Sequence, residues 1–97
     1  MAANHKLTNV IRGRQVTGID VSSGNAAVRF DDGSTMTVLL GGDPPRSPPT
    51  GRVLGVRQQG RTLDIDYEGG TTLELTTAEA TSSVMVRDSK ETMEYAD

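Results

Sequence analysis

The chain has 97 residues, 10 basic and 13 acidic side chains, a formal net charge of −3, 34% hydrophobic and 3% aromatic residues, and no cysteine. That length holds one small domain with a thin aliphatic core, for which self-association is a natural supplement. The lack of cysteine excludes disulfides, thiolate nucleophiles and Cys-based metal sites, a reducing cytoplasm is the expected location, and no apolar run approaches the roughly 18 residues that cross a bilayer.

Charge is unevenly spread. Residues 1–61 carry eight basic groups against four acidic ones, whereas residues 62–97 carry two against nine. Such polarity suits an anion-binding face, two surfaces that meet in an oligomer, or charges that intermix once the chain folds.

Residues 1–6 read as a loose polar leader without the apolar core of an export signal. Leu7 to Ile11 is a first short element, either a helical turn or an edge strand. Arg12-Gly13-Arg14 makes a turn. From Gln15 to Val21 the β-branched alternation predicts a strand, with Gly18 marking a bend or bulge. Ser22-Ser23-Gly24-Asn25 is a turn by composition. Ala26, Val28 and Phe30 then alternate with Ala27, Arg29 and Asp31, so the first set faces a core. Asp31-Asp32-Gly33-Ser34 carries the Asp-Gly signal of a tight hairpin. Thr35 to Leu40 returns with Met36, Val38 and Leu40 on one face, which completes a three-stranded meander over residues 15–40.

A connector over 41–52 holds all four prolines, which cannot donate to a sheet ladder. Within it, Pro45-Arg46-Ser47-Pro48 has the PxxP form that SH3-type partners read, although a loop is the expected role. A second meander follows over residues 53–76. Ile65-Asp66-Tyr67-Glu68-Gly69-Gly70 stands 37 residues after Val28-Arg29-Phe30-Asp31-Asp32-Gly33, and Gly55 stands 37 after Gly18. Its inward set is Leu54, Val56, Leu63, Ile65, Tyr67, Leu73 and Leu75. Two copies are too few for a solenoid, so they are expected to pair into one small bent antiparallel sheet or barrel with pseudo-two-fold symmetry. Residues 77–97 supply a helical turn or loop, a last strand on Val84 and Val86, and a polar tail that stays disordered or frays as a weak helix.

Few residues carry chemistry. Asp64, Asp66 and Glu68 imitate the start of a calcium-binding loop. However, Leu75 stands where the closing glutamate belongs, and strand alternation places the three acids on one solvated face. His5 is the sole histidine, so a Ser-His-Asp triad would rest on the leader. No Gly-rich phosphate loop occurs. The expectation is a protein without catalysis, cofactor or metal.

Gly13-Arg14-Gln15-Val16-Thr17-Gly18, Phe30-Asp31-Asp32 and Met36-Thr37-Val38-Leu39-Leu40 together resemble the first motif of Sm and Lsm-type proteins, over residues 7–40. The resemblance implies a short N-terminal helix, an SH3/Sm-like bent barrel, ring assembly and binding of uridine-rich RNA. Thr37 stands where that family has its base-contacting asparagine. Nucleic-acid contacts would then fall on Arg12, Arg14, Arg29, Thr37, Arg52, Arg57 and Arg61. The acidic balance and the lack of an outward aromatic for base stacking favour the other reading, a cytoplasmic protein-interaction or oligomerisation module whose partner is itself or another protein, with no membrane contact.

Overall fold

Among the described residues, apolar alternation becomes one antiparallel sheet with a single short helix packed on it. The computed structural model describes residues 2–22, 24–42, 51–80 and 83–96. In chain order the elements are β1 (Ala2–Ala3), α1 (His5–Ile11), β2 (Gln15–Ser22), β3 (Asn25–Phe30), β4 (Thr35–Leu39), β5 (Gly51–Gln59), β6 (Thr62–Tyr67), β7 (Thr72–Thr76), β8 (Val84–Arg87) and β9 (Met93–Ala96). The strand order is β7-β6-β5-β2-β3-β4-β8-β9, with β1 added to β5.

β2–β3–β4 and β5–β6–β7 are meanders built alike. In the first, Phe30 N–H donates to Ser34 C=O (3.0 Å) and Gly33 N–H to Phe30 C=O (3.1 Å). In the second, Tyr67 N–H donates to Thr71 C=O (2.9 Å) and Gly70 N–H to Tyr67 C=O (3.3 Å). Both hairpins need glycine, because Gly33 and Gly70 hold φ of 87° and 88°, where a Cβ is strained. The expected irregularities at Gly18 and Gly55 are present as bulges between Val16 and Gly18 and between Val53 and Gly55. Neither glycine has positive φ, so they serve the bend and the close packing above it rather than a left-handed backbone.

The second bulge corrects the predicted inward set. The extra residue reverses alternation, so Val53 is buried and Leu54 is 51% exposed. The other six positions of that set, Val56, Leu63, Ile65, Tyr67, Leu73 and Leu75, are buried as expected.

The meanders meet where Gln15 pairs with Arg52 and Val16 with Gly51. They touch again through an isolated bridge between Leu40 and Thr77, just past β4 and β7. That single bridge does not make a barrel: the free side of β4 is taken by β8, and the sheet remains open. The all-β expectation holds in this coarser form.

Both chain ends are more ordered than their composition suggested. Asn4 caps α1, its Oδ1 accepting from Leu7 N–H (3.0 Å), and Leu7 and Ile11 enter the core fully buried. Ala2 and Ala3 pair with Gln58 and Arg57, so residues 2–6 are no loose leader. The polar tail is likewise no frayed helix, because Met93–Ala96 forms β9 on β8. Here Tyr95 turns toward the core. Of the connector, Gly51 and Arg52 already belong to β5; Asp43–Thr50, including the PxxP sequence, lies outside the described residues.

Candidate binding groove

On β4 the inward residues are Met36 and Val38, which leaves Thr35, Thr37 and Leu39 on the outer face. On β8, Val84 and Val86 are buried, so Met85 and Arg87 face out. Register then aligns Thr37 with Met85 and Met85 with Ala96. The small Thr37 and Ala96 flank the longer Met85 and leave a depression of about 460 Å³ lined by Thr37, Leu39, Ser83, Val84, Met85, Arg87 and Ala96. Leu39 closes one end, where its N–H donates to Ser83 C=O (2.8 Å). Arg87 stands at the other, opposite Thr35 and Met93.

The groove is apolar for a surface. Leu39 is 42% and Met93 50% exposed, and the Arg87 guanidinium lies 3.9 Å from Glu91, both side chains well exposed. A floor of methyl and thioether groups with one cation at its end suits an extended apolar segment bearing a carboxylate. Of these residues only Thr37 was singled out from sequence. Leu39 next to Leu40, and Met85 between Val84 and Val86, are the signal that was there to read: consecutive apolar residues in a strand put one of them outside.

The arginines expected to contact nucleic acid do not gather there. Arg14 donates both terminal nitrogens to Glu94 (2.9 Å each), one of them also to Ser34 Oγ (2.9 Å), and its Nε lies 3.3 Å from Asp32. The hydrogen bond to Glu94 raises the pKa of Arg14 further. Arg52 donates to Gly13 C=O (2.8 Å). Arg61 donates to the carbonyls of Thr77 (2.9 Å) and Gly41 (3.3 Å). Arg29 pairs with Asp20 at 3.3 Å. Arg12 is the C-cap of α1 and exposed. The turn at residues 12–14 brings Arg12, Arg14 and Arg52 to one junction, while Arg29, Arg57 and Arg61 stand on other parts of the sheet.

Arg57 organises the predicted acidic row. It donates to Asp66 through Nε (2.8 Å) and Nη2 (2.9 Å) and lies 3.6 Å from Asp64. Thr72 Oγ1 adds a third bond to Asp66 (2.8 Å). The Arg57 hydrogen bonds hold the Asp66 carboxyl below the usual range, against partial burial. Asp64 is buried at 7% exposure, which corrects the expectation of a solvated face. Strand β6 has partners on both sides, and the Arg57 side chain covers the carboxylate. Among the described residues, no group of three or more His, Cys, Asp and Glu side chains could hold a metal ion. His5 is exposed, in a second hollow of about 390 Å³ lined by Ala3, Asn4, Lys6, Gln58, Gly60 and Ala80. No helix of the described residues is long and apolar enough to cross a membrane.

No protein-family model, curated protein or solved structure matches the chain.

Proposed function

We propose that this protein is a cytoplasmic, non-catalytic interaction module that works through the groove on β4, β8 and β9. The observation that carries the reading is an apolar depression with Leu39 and Met93 exposed at its margins and Arg87 at its end. The ligand class is an extended polypeptide segment with apolar side chains and a carboxylate for Arg87. The same reading takes the two meanders as copies of one duplicated unit, the first of which gained β8 and β9 and with them the groove.

The test is selection from a displayed library of random peptides. Apolar, acidic sequences should be enriched on the protein, and lost on Met85→Asp and Arg87→Glu variants that keep the parental circular dichroism. Equal enrichment on all three proteins would sink the reading.

A second reading, an Sm-like RNA binder, is favoured by the presence of Thr37 in the same groove as Arg87. Its expected signature is retention of oligo-U RNA at low salt that fades as ionic strength rises, and no binding at about 50 mM salt removes it.

A further inference from the structure

The hairpin between β8 and β9 departs from a rule that the two meander hairpins obey. Asp88 N–H donates to Thr92 C=O (2.9 Å) and Glu91 N–H to Asp88 C=O (3.0 Å), the same pair of bonds that closes the turns after Phe30 and Tyr67. Glu91 thus stands where Gly33 and Gly70 stand. Its φ is 66°, in the left-handed region, and among the described residues it alone holds a positive φ without being glycine. A Cβ is disfavoured there, and glutamate lacks the short polar side chain with which Asn and Asp tolerate that backbone. Such strain persists where the surroundings hold it, and it clusters at ligand clamps and switches. The ladder is irregular here too, with a register shift between Val86 and Arg87, and a bulge re-aims the side chains beside it.

The neighbours show what Glu91 does. Three acids lie between residues 88 and 94, and two of them are engaged elsewhere. Asp88 Oδ1 accepts from Lys90 N–H and Thr92 N–H (2.9 Å each), and Glu94 takes both terminal nitrogens of Arg14 (2.9 Å each). Glu91 instead faces Arg87, its Oε2 3.9 Å from Nη1. Arg87 is the cation at the end of the groove. At that distance, with both side chains exposed, the pair is weak, and a Glu91 side chain 82% exposed has solvent into which to swing. Its carboxylate holds the place that a ligand carboxylate would take, loosely enough to give it up.

We propose that Glu91 is a built-in competitor for Arg87, whose carboxylate caps the cation until the carboxylate of a bound segment displaces it. The inference rests on the groove reading and adds the residue that tunes it. With Glu91 present, a ligand carboxylate exchanges one ion pair for another and gains little. Without it, Arg87 meets the ligand with its charge unopposed. Acidic segments therefore bind reversibly, and neutral apolar segments do not feel Glu91 at all.

The experiment is calorimetric titration with peptides enriched from the displayed library on the wild-type protein, each made in its acidic form and with its Asp or Glu changed to Asn or Gln. Glu91→Gln should tighten binding of the acidic form by about two- to fivefold at low salt and leave the neutral form unchanged, and added salt should shrink the gain. In an Arg87→Gln background the same change should have no effect, because the competitor has lost what it competes for. Glu91→Gly should tighten binding equally and melt about 4 °C above Glu91→Gln, because glycine relieves the left-handed backbone. Three results overturn the proposal: equal affinity of wild type and Glu91→Gln for the acidic form, a gain that persists in the Arg87→Gln background and so reflects general repulsion, or a Glu91→Gly that melts no higher than Glu91→Gln. If one of these appears while wild type still enriches acidic apolar peptides, the groove reading stands and the role of Glu91 alone falls. If no peptide is enriched on wild type, Glu91→Gln or Glu91→Gly, both fall together.

Discussion

Tyr67 and Phe30 occupy corresponding inward positions, and only the tyrosine brings a hydroxyl into the core. That hydroxyl is buried without a hydrogen-bond partner, and burial pushes the group up to about 12 from 10.0. Removing an unpaired buried polar group relieves a desolvation cost of about 1–3 kcal/mol. Tyr67→Phe should therefore raise the urea midpoint at neutral pH. Because the folded pKa exceeds the unfolded one, the contribution is intact below pH 10 and lost as pH rises toward 12. Wild type should lose about 2–3 kcal/mol over that window, and Tyr67→Phe should show a flatter alkaline limb. Equal limbs would show that Tyr67 is not the group responsible. The inward position of this residue was legible from alternation alone. Its orphaned hydroxyl was not, since that depends on which polar groups the other strands bring within reach.

Among the elements, the two bulged strands show where a periodic reading stops working. Glycine at matching positions announced both bulges, yet alternation carried through the second one misplaced Leu54, because one extra residue inverts every later side chain. The helix was half legible: Leu7 and Ile11 lie four apart, as one buried helical face requires, but Asn4 as its cap sat in a segment that looks merely polar. Asn4 also donates from Nδ2 to Gln58 Oε1 (3.0 Å) and Tyr95 Oη (3.2 Å), tying α1 to β5 and β9. Asn4→Ala should cost about 1–2 kcal/mol, the upper part of the usual cap range. It should also speed amide exchange at Asn4 and at β1. Unchanged exchange would mean that β1 holds its place without the cap.

Across the whole molecule, the charge asymmetry read from sequence turns inward on folding. Glu94 from the acidic end meets Arg14 from the basic part, and Asp66 meets Arg57. Two aspartates gain from an arginine neighbour, Asp32 within the basic part and Asp66 across the two parts. Partial burial works against Asp32, but hydrogen bonds from Ser34 and the charge of Arg14 hold it below 3.8. Hydrogen bonds from Arg57 do the same for Asp66. Their contribution is full above the ordinary carboxyl pKa and is lost as pH falls through the lower folded values. Arg57→Met should lower stability wherever Asp66 is ionised and flatten the acid limb, the difference from wild type shrinking as pH falls, as read by denaturant unfolding followed by circular dichroism. Strand content and meander order were legible because they follow from local period and turn chemistry. The openness of the sheet and the addition of β9 were not, because both depend on pairings between segments far apart in sequence.

The two slender joins between the meanders bear on how the molecule forms. Each meander closes through short local hairpins, whereas the Gln15–Arg52 and Leu40–Thr77 contacts link segments far apart in the chain. A barrier crossed when hairpins are made and the joins are not leaves the joins to the downhill side. Gly41 sits at the second join, where a Cβ would lie 2.5 Å from the Thr77 carbonyl. Gly41→Ala should then steepen loss of the native state by raising the unfolding rate, with the refolding rate nearly unchanged, in stopped-flow denaturant jumps. A slowed refolding arm would place that join in the folding nucleus instead. On that outcome the join at Leu40 and Thr77 governs the lifetime of the native state more than its speed of formation.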